Sequence, residues 1–134
     1  MSVCLSKGLG APVGSVLAGK KEFVEEARHY RKIFGGGMRQ AGILAAAGLY
    51  ALDHNMERLG EDHENARAFA RMVSEVPGIS IDMSTVQTNI IIMDFSQSGR
   101  NSADWSRQFQ NAGVRVSQPG EWTLRAVTNL NLTK

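Results

Sequence analysis

Val3-Cys4-Leu5-Ser6-Lys7-Gly8-Leu9-Gly10-Ala11-Pro12-Val13-Gly14-Ser15 joins two short apolar runs through one lysine, several glycines and a proline. The run ahead of the lysine reads as a buried strand. The glycines and Pro12 read as a turn. Residues 1–6 and 13–18 are therefore expected to be two strands, neighbours in one sheet, with Lys7 at the end of the first. A lysine is rarely buried without a partner, so one tethered beside bare backbone has two readings. It is a solvated turn lysine, or it is an amine in a partly desolvated pocket. In such a pocket its pKa falls and it can form a Schiff base with a carbonyl cofactor.

Beyond the second strand the period changes. Phe23, Val24, Ala27 and Tyr30 recur at helical spacing and predict a helix over 20–33. Gly35-Gly36-Gly37 stops it, because three glycines are costly in any regular element. A second helix is expected from about Met38, with Ala41, Leu44, Ala45, Leu49, Leu52, Met56 and Leu59 on one face. Gly60 marks a break or kink. An amphipathic helix follows over 61–76 with Ala66, Phe69, Ala70 and Val73 inward, and Pro77-Gly78 ends it. The remainder alternates as strands over 79–83 and 88–95, a helix over 102–112 with Trp105 and Phe109 inward, a short strand over 114–116 and a final strand over 122–130. Strand, strand, helix, strand, strand is a small α+β layer. The expected organisation is α/β, with one part over residues 1–60 and a second, α+β part over 61–134.

Composition narrows the function classes. The net charge of +2 over 134 residues gives no basic surface for nucleic acid or another polyanion. No apolar run is long enough to span a membrane. The first residues lack the basic, apolar and small-residue zones of a signal peptide, so the cytoplasm is the expected compartment. The single cysteine, Cys4, reads as a buried, inert thiol in a reducing environment.

Three places could carry chemistry. Gly35-Gly36-Gly37-Met38-Arg39 offers backbone N–H groups at a helix start, with Arg39 beside them and Lys32 just before. That pattern suits an anion such as phosphate or carboxylate; a flexible interhelix turn with an incidental arginine is the alternative. Arg125 interrupts the apolar strand Leu124-Arg125-Ala126-Val127-Thr128. It either faces solvent together with Val127 and Asn129 or grips a carboxylate with both forks. His29, His54 and His63 have no spacing that builds a metal site, and His63 beside Glu61 and Asp62 reads as a solvated helix start.

Taken in order, these segments resemble the low-specificity L-threonine aldolases, fold-type-I enzymes that use pyridoxal 5'-phosphate. The stretch Ser2–Ser15 is similar to the family's cofactor-lysine segment. Arg31-Lys32-Ile33-Phe34-Gly35-Gly36-Gly37-Met38-Arg39-Gln40-Ala41-Gly42 is similar to its second signature. Asp62-His63-Glu64-Asn65-Ala66 and Leu124–Thr128 resemble later stretches, so the resemblance runs along essentially the whole chain. It implies that residues 1–60 are the end of the large cofactor-binding domain and 61–134 the small C-terminal domain. It implies Lys7 as the Schiff-base lysine and Arg39 near the cofactor phosphate. It places Lys32 beside the substrate and Arg125 on the substrate α-carboxylate. The implied reaction splits threonine or allo-threonine, a small β-hydroxy-α-amino acid, into glycine and acetaldehyde. The implied assembly is a homo-oligomer, a tetramer in the family.

The chain departs from the family pattern in two ways. Asn129 stands where the family often has histidine after the Val-Thr pair, with Asn131 two residues on. Six residues precede Lys7, whereas the family keeps its phosphate loop, ring-stacking residue and pyridine-nitrogen aspartate upstream of the lysine. The chain is therefore expected to correspond to the C-terminal part of such an enzyme. A non-catalytic, truncated assembly module is the alternative for the chain on its own. Another fold-type-I enzyme, such as a β-eliminating lyase, would share the lysine, but the triple glycine argues for the aldolases.

Overall fold

The computed structural model describes residues 1–132. The chain divides into two compact units, one from Met1 to Leu59 and one that begins at Gly60. Both mix helices with short strands.

In the first unit, β1 (Ser2–Cys4) pairs antiparallel with β2 (Ser15–Leu17), Val3 opposite Val16. The turn between them is closed by its own backbone: Leu5 N–H donates to Gly14 at 2.9 Å and Ala11 N–H to Leu5 at 3.0 Å. Gly10 at φ +73° and Gly14 at φ +117° take the left-handed conformations that this path requires. The strands are neighbours as expected, but β2 is exposed along its length. Its apolar run reports what the strand is able to pack against, and this unit does not cover it.

Helix α1 (Lys21–Ile33) buries none of its residues; Val24 and Ala27 are half-buried. Helix α2 (Gly42–Asn55) starts about four residues later than the sequence pattern predicts. Gln40, at φ +51°, lies in the left-handed region and keeps residues 38–41 off the helical path. The face α2 buries is also different. Gly48 and Ala51 point into a small core with Leu5, Leu9 and Ala11, while Leu49, Leu52 and Met56 are exposed. The residues of α2 before Asp53 carry no charge, so periodicity has no polar side to read. Close packing marks the buried side instead: a Cβ on Gly48 would stand 3.1 Å from Leu5 Cδ1, so the bare backbone there lets Leu5 seat closely against the helix.

In the second unit, α3 (Leu59–Ser74) packs Ala66 and Ala70 into the core. The break ahead of it falls at 56–58, so Gly60 belongs to the first turn of α3 and is not a kink. β3 (Ile90–Asp94) pairs antiparallel with β4 (Thr123–Val127), with Ile92 opposite Arg125. Helix α4 (Ser102–Asn111) lies between them in sequence; the Asn101 side chain caps it by accepting from Asp104 N–H at 3.0 Å. Period-2 alternation sends Ile91, Met93 and Phe95 inward, where they meet Leu124, Val86, Trp105 and Phe109. The strand expected over 79–83 reduces to one bridge, Ser80 to Asp94. Asp82 ends it by accepting from Ser84 N–H and starting a short 3-10 turn over Met83–Thr85. The strand expected over 114–116 does not form; pairing resumes only at Ser117, opposite Arg125.

Candidate active site

Lys7 stands in the β1–β2 turn with its main chain fixed and its side chain exposed. Its carbonyl accepts from Gly10 N–H at 2.8 Å. Two residues on, Leu9 is buried and its carbonyl accepts from Asn55 Nδ2 of α2 at 2.7 Å. Gly8 runs so close to Leu59 that a Cβ would lie 2.8 Å from Leu59 Cδ2. The turn is thus held by its own bonds, by a helix side chain and by close packing, and it presents one primary amine to solvent. The desolvated pocket considered from sequence is not formed around Lys7 by this chain.

Asn55 went unnoticed in the sequence because a polar residue near a helix end reads as solvated. The available signal was its spacing, seven residues after Gly48 and four after Ala51, on the buried face. Asn55→Ala is expected to cost about 1 kcal/mol. Hydrogen exchange at the amides of residues 5–11 should accelerate, and unchanged exchange there would show that the bond does not hold the turn.

Cys4 is half-buried, not fully buried as its apolar context predicts. Its Sγ lies 3.5 Å from Ser6 Oγ. Hydrogen bonding from Ser6 holds the thiol below its ordinary range, and the Lys7 charge adds a smaller pull in the same direction.

The triple glycine resolves differently from an anion cradle at a helix start. Gly36 N–H donates to Arg31 at 2.8 Å and Gly35 N–H to Lys32 at 3.2 Å, with Gly35 at φ +75°. Together these form a Schellman cap on α1, so two of the three N–H groups are already used. Helix α2 begins only at Gly42, beyond Arg39. Lys32 and Arg39 are both exposed, one on each side of the glycines. Among the described residues, no hydrogen bond or ion pair joins Lys7, Lys32 and Arg39. Gln40, next to Arg39, carries the strain of this connection. Gln40→Gly is expected to stabilise the first unit by about 1 kcal/mol, read as a higher thermal midpoint; a lower one would mean that the Gln40 side chain holds the loop.

Arg125 faces outward on β4, as alternation predicts. Its Nε donates to Ser117 Oγ at 3.0 Å, and its backbone exchanges two bonds with Ser117. Among the described residues no carboxylate pairs with it. Its terminal nitrogens keep the planar fork that matches a carboxylate. Asn129 is exposed and its Oδ1 accepts from Asn131 N–H at 3.0 Å, forming a local turn. Among the described residues, no three His, Cys, Asp or Glu side chains converge on a position that could hold a metal ion. No helix of the described residues is long and apolar enough to cross a membrane.

A family model described as beta-eliminating lyase matches residues 1–96. Along the sequence the chain is similar to low-specificity L-threonine aldolase 1 of Arabidopsis thaliana, with 40% identity over 99% of this chain and 37% of that protein. It is similar to low specificity L-threonine aldolase of Escherichia coli strain K12, with 38% identity over 99% of this chain and 38% of that protein. In three dimensions it is similar to the crystal structure of a protein assigned as an L-allo-threonine aldolase in Listeria monocytogenes EGD-E. The TM-score is 0.75 at 18% identity, over 96% of this chain and 38% of that one. At that identity the likeness shows the fold. The chain spans a little over a third of the length of the curated relatives it matches.

Proposed function

The chain belongs to the beta-eliminating lyase family, and from that premise we propose that it carries the reactive lysine and the carboxylate-gripping arginine of a pyridoxal-phosphate-dependent threonine aldolase. The family model ends at residue 96, whereas the aldolase relatives continue through the rest of the chain. The substrate class follows those relatives: threonine or allo-threonine, cleaved to glycine and acetaldehyde. The observation that carries the reading is the pairing of aldolase similarity over 99% of the chain with the Lys7 turn, in which a fixed backbone presents a free primary amine.

The residues present fit the reactive end of that cofactor. Lys7 supplies an amine to an aldehyde. Arg39 and Lys32 supply exposed cations for the phosphate and for substrate. Arg125 supplies the terminal fork for the α-carboxylate and so sets which bond at Cα is held ready to break. When bound, pyridoxal phosphate supplies an electron sink for the pair left by the departing β-carbon. In the same reading, residues 1–60 belong to the end of a large cofactor-binding domain, 61–134 form the small domain, the chain self-associates, and it works in the cytoplasm.

The test is trapping. The chain is incubated with pyridoxal phosphate, reduced with borohydride and mapped by mass spectrometry. A pyridoxyl adduct concentrated on Lys7 is expected. No adduct, or labelling spread evenly over the other lysines, would overturn the cofactor role and favour a non-catalytic assembly module.

A further inference from the structure

Arg125 is held along one edge of β4 by a single residue. Over residues 114–117 only Ser117 pairs with β4, as an isolated bridge opposite Arg125. Ser117 N–H donates to the Arg125 carbonyl at 3.0 Å, and Arg125 N–H donates to the Ser117 carbonyl at 2.8 Å. The side chains add to that pairing. Arg125 Nε donates to Ser117 Oγ at 3.0 Å, and the Ser117 hydroxyl is directed to the Arg125 carbonyl at 3.4 Å. A guanidinium meets a carboxylate through one of two parallel N–H pairs: both Nη together, or Nε with one Nη. Ser117 occupies Nε, so the first pair is the one left open. Asp94 alternates onto the same outer face, opposite Thr123 and one diagonal step from Arg125. Its Oδ1 accepts instead from Ser96 N–H at 2.7 Å. The fork of Arg125 therefore stays open although an acid stands nearby.

We propose that Ser117 is a positioning residue for Arg125: its hydroxyl accepts from Nε and fixes the guanidinium so that both Nη atoms, and not the Nε side, meet the carboxylate of a small amino-acid substrate. This rests on the carboxylate-gripping role proposed above for Arg125 and adds how the grip is aimed. A hydroxyl suits the task because it accepts from the cation without neutralising it. A carboxylate at position 117 would pair with the fork itself and compete with the substrate. Arginine also has much rotamer freedom to lose on binding. The bond to Ser117 removes part of that freedom before the substrate arrives, and such preorganisation strengthens binding without a new contact to the ligand.

Side-chain nitrogen NMR of the whole chain tests this, with threonine as the probe. In the wild type, threonine is expected to shift the Nη signals of Arg125 and leave its Nε signal in place. Ser117→Ala is expected to speed solvent exchange of the Arg125 Nε–H about fivefold, the effect of losing one modest hydrogen bond. It should weaken threonine binding by about the same factor and spread the threonine-induced shift to Nε. Alanine keeps the two main-chain bonds, so amide exchange at residues 117 and 125 should not change. Ser117→Thr keeps the hydroxyl and should restore both the slow Nε–H exchange and the binding. Threonine that leaves every Arg125 signal of the wild type unmoved would overturn the carboxylate-gripping reading and the positioning role with it. A wild type in which threonine shifts Nε and Nη alike would overturn the positioning role alone. So would a Ser117→Ala variant that binds as the wild type does, or one whose defect Ser117→Thr fails to reverse.

Discussion

Phe95→Ala is expected to destabilise the second unit by about 3–5 kcal/mol. Phe95 is fully buried at the end of β3. Its ring centroid lies 5.3 Å from that of Trp105 and 6.3 Å from that of Phe109, the latter edge-on. Its N–H donates to the Trp122 carbonyl at 2.8 Å, tying β3 to the segment that leads into β4. Alanine keeps that backbone bond and removes the ring, so the loss is transfer energy plus the cavity left among three elements. A small domain holds only about 5–15 kcal/mol in all, so this one change removes a large share. Urea unfolding followed by tryptophan fluorescence should show a lower midpoint with an unchanged slope. Phe95→Leu should cost about 1.5 kcal/mol or less, provided the neighbours repack. An alanine variant within about 1 kcal/mol of the wild type would mean that the aromatic trio is not the centre of this core.

Lys7→Ala is expected to remove the trapped pyridoxyl adduct completely while leaving the fold intact. The two effects separate because Lys7 contributes main-chain bonds to the turn and an exposed side chain to solvent. Alanine keeps the first and deletes the second. Lys7→Arg should fail equally, although it preserves the charge, since a guanidinium stays protonated and is no nucleophile toward an aldehyde. That pair distinguishes chemistry from charge: if the arginine variant retained the adduct, the label would lie on another amine. Lys32→Ala should leave the amount of adduct on Lys7 within about twofold, because the role proposed for Lys32 is toward the substrate and not the cofactor aldehyde.

Much of the architecture was legible from the chain. The strand–turn–strand around Lys7, the helix over 21–33 and the inward faces of α3 and α4 follow from period and punctuation. Ala66, Ala70, Trp105 and Phe109 could be placed because polar residues on the opposite faces mark which side is out. Helix α2 lacked that contrast, and its buried face was settled by one glycine's fit to Leu5, a contact with no local signature. Its start was displaced by Gln40, whose left-handed backbone is uncommon for a residue with a side chain. The strands expected over 79–83 and 114–116 dissolved for a related reason. Each has the right residues, but over 79–83 only Ser80 finds a partner across the sheet, and over 114–116 none does, pairing falling on the next residue, Ser117. Of the candidate site, Lys7, Lys32, Arg39 and Arg125 are singled out by resemblance. The support beneath them could not be read: Asn55 reaches back 46 positions to Leu9, and two of the three glycines that looked like an anion cradle spend their N–H groups finishing α1.

The seat of Leu5 against Gly48 has a further consequence. Leu5 lies two residues before Lys7, and its N–H and carbonyl make the bonds to Gly14 and Ala11 that close the turn. A position with no side chain, far along the sequence, thereby borders the residue on which that turn is closed. Drift toward even a methyl group at Gly48 would press first on the residue whose main chain closes the Lys7 turn.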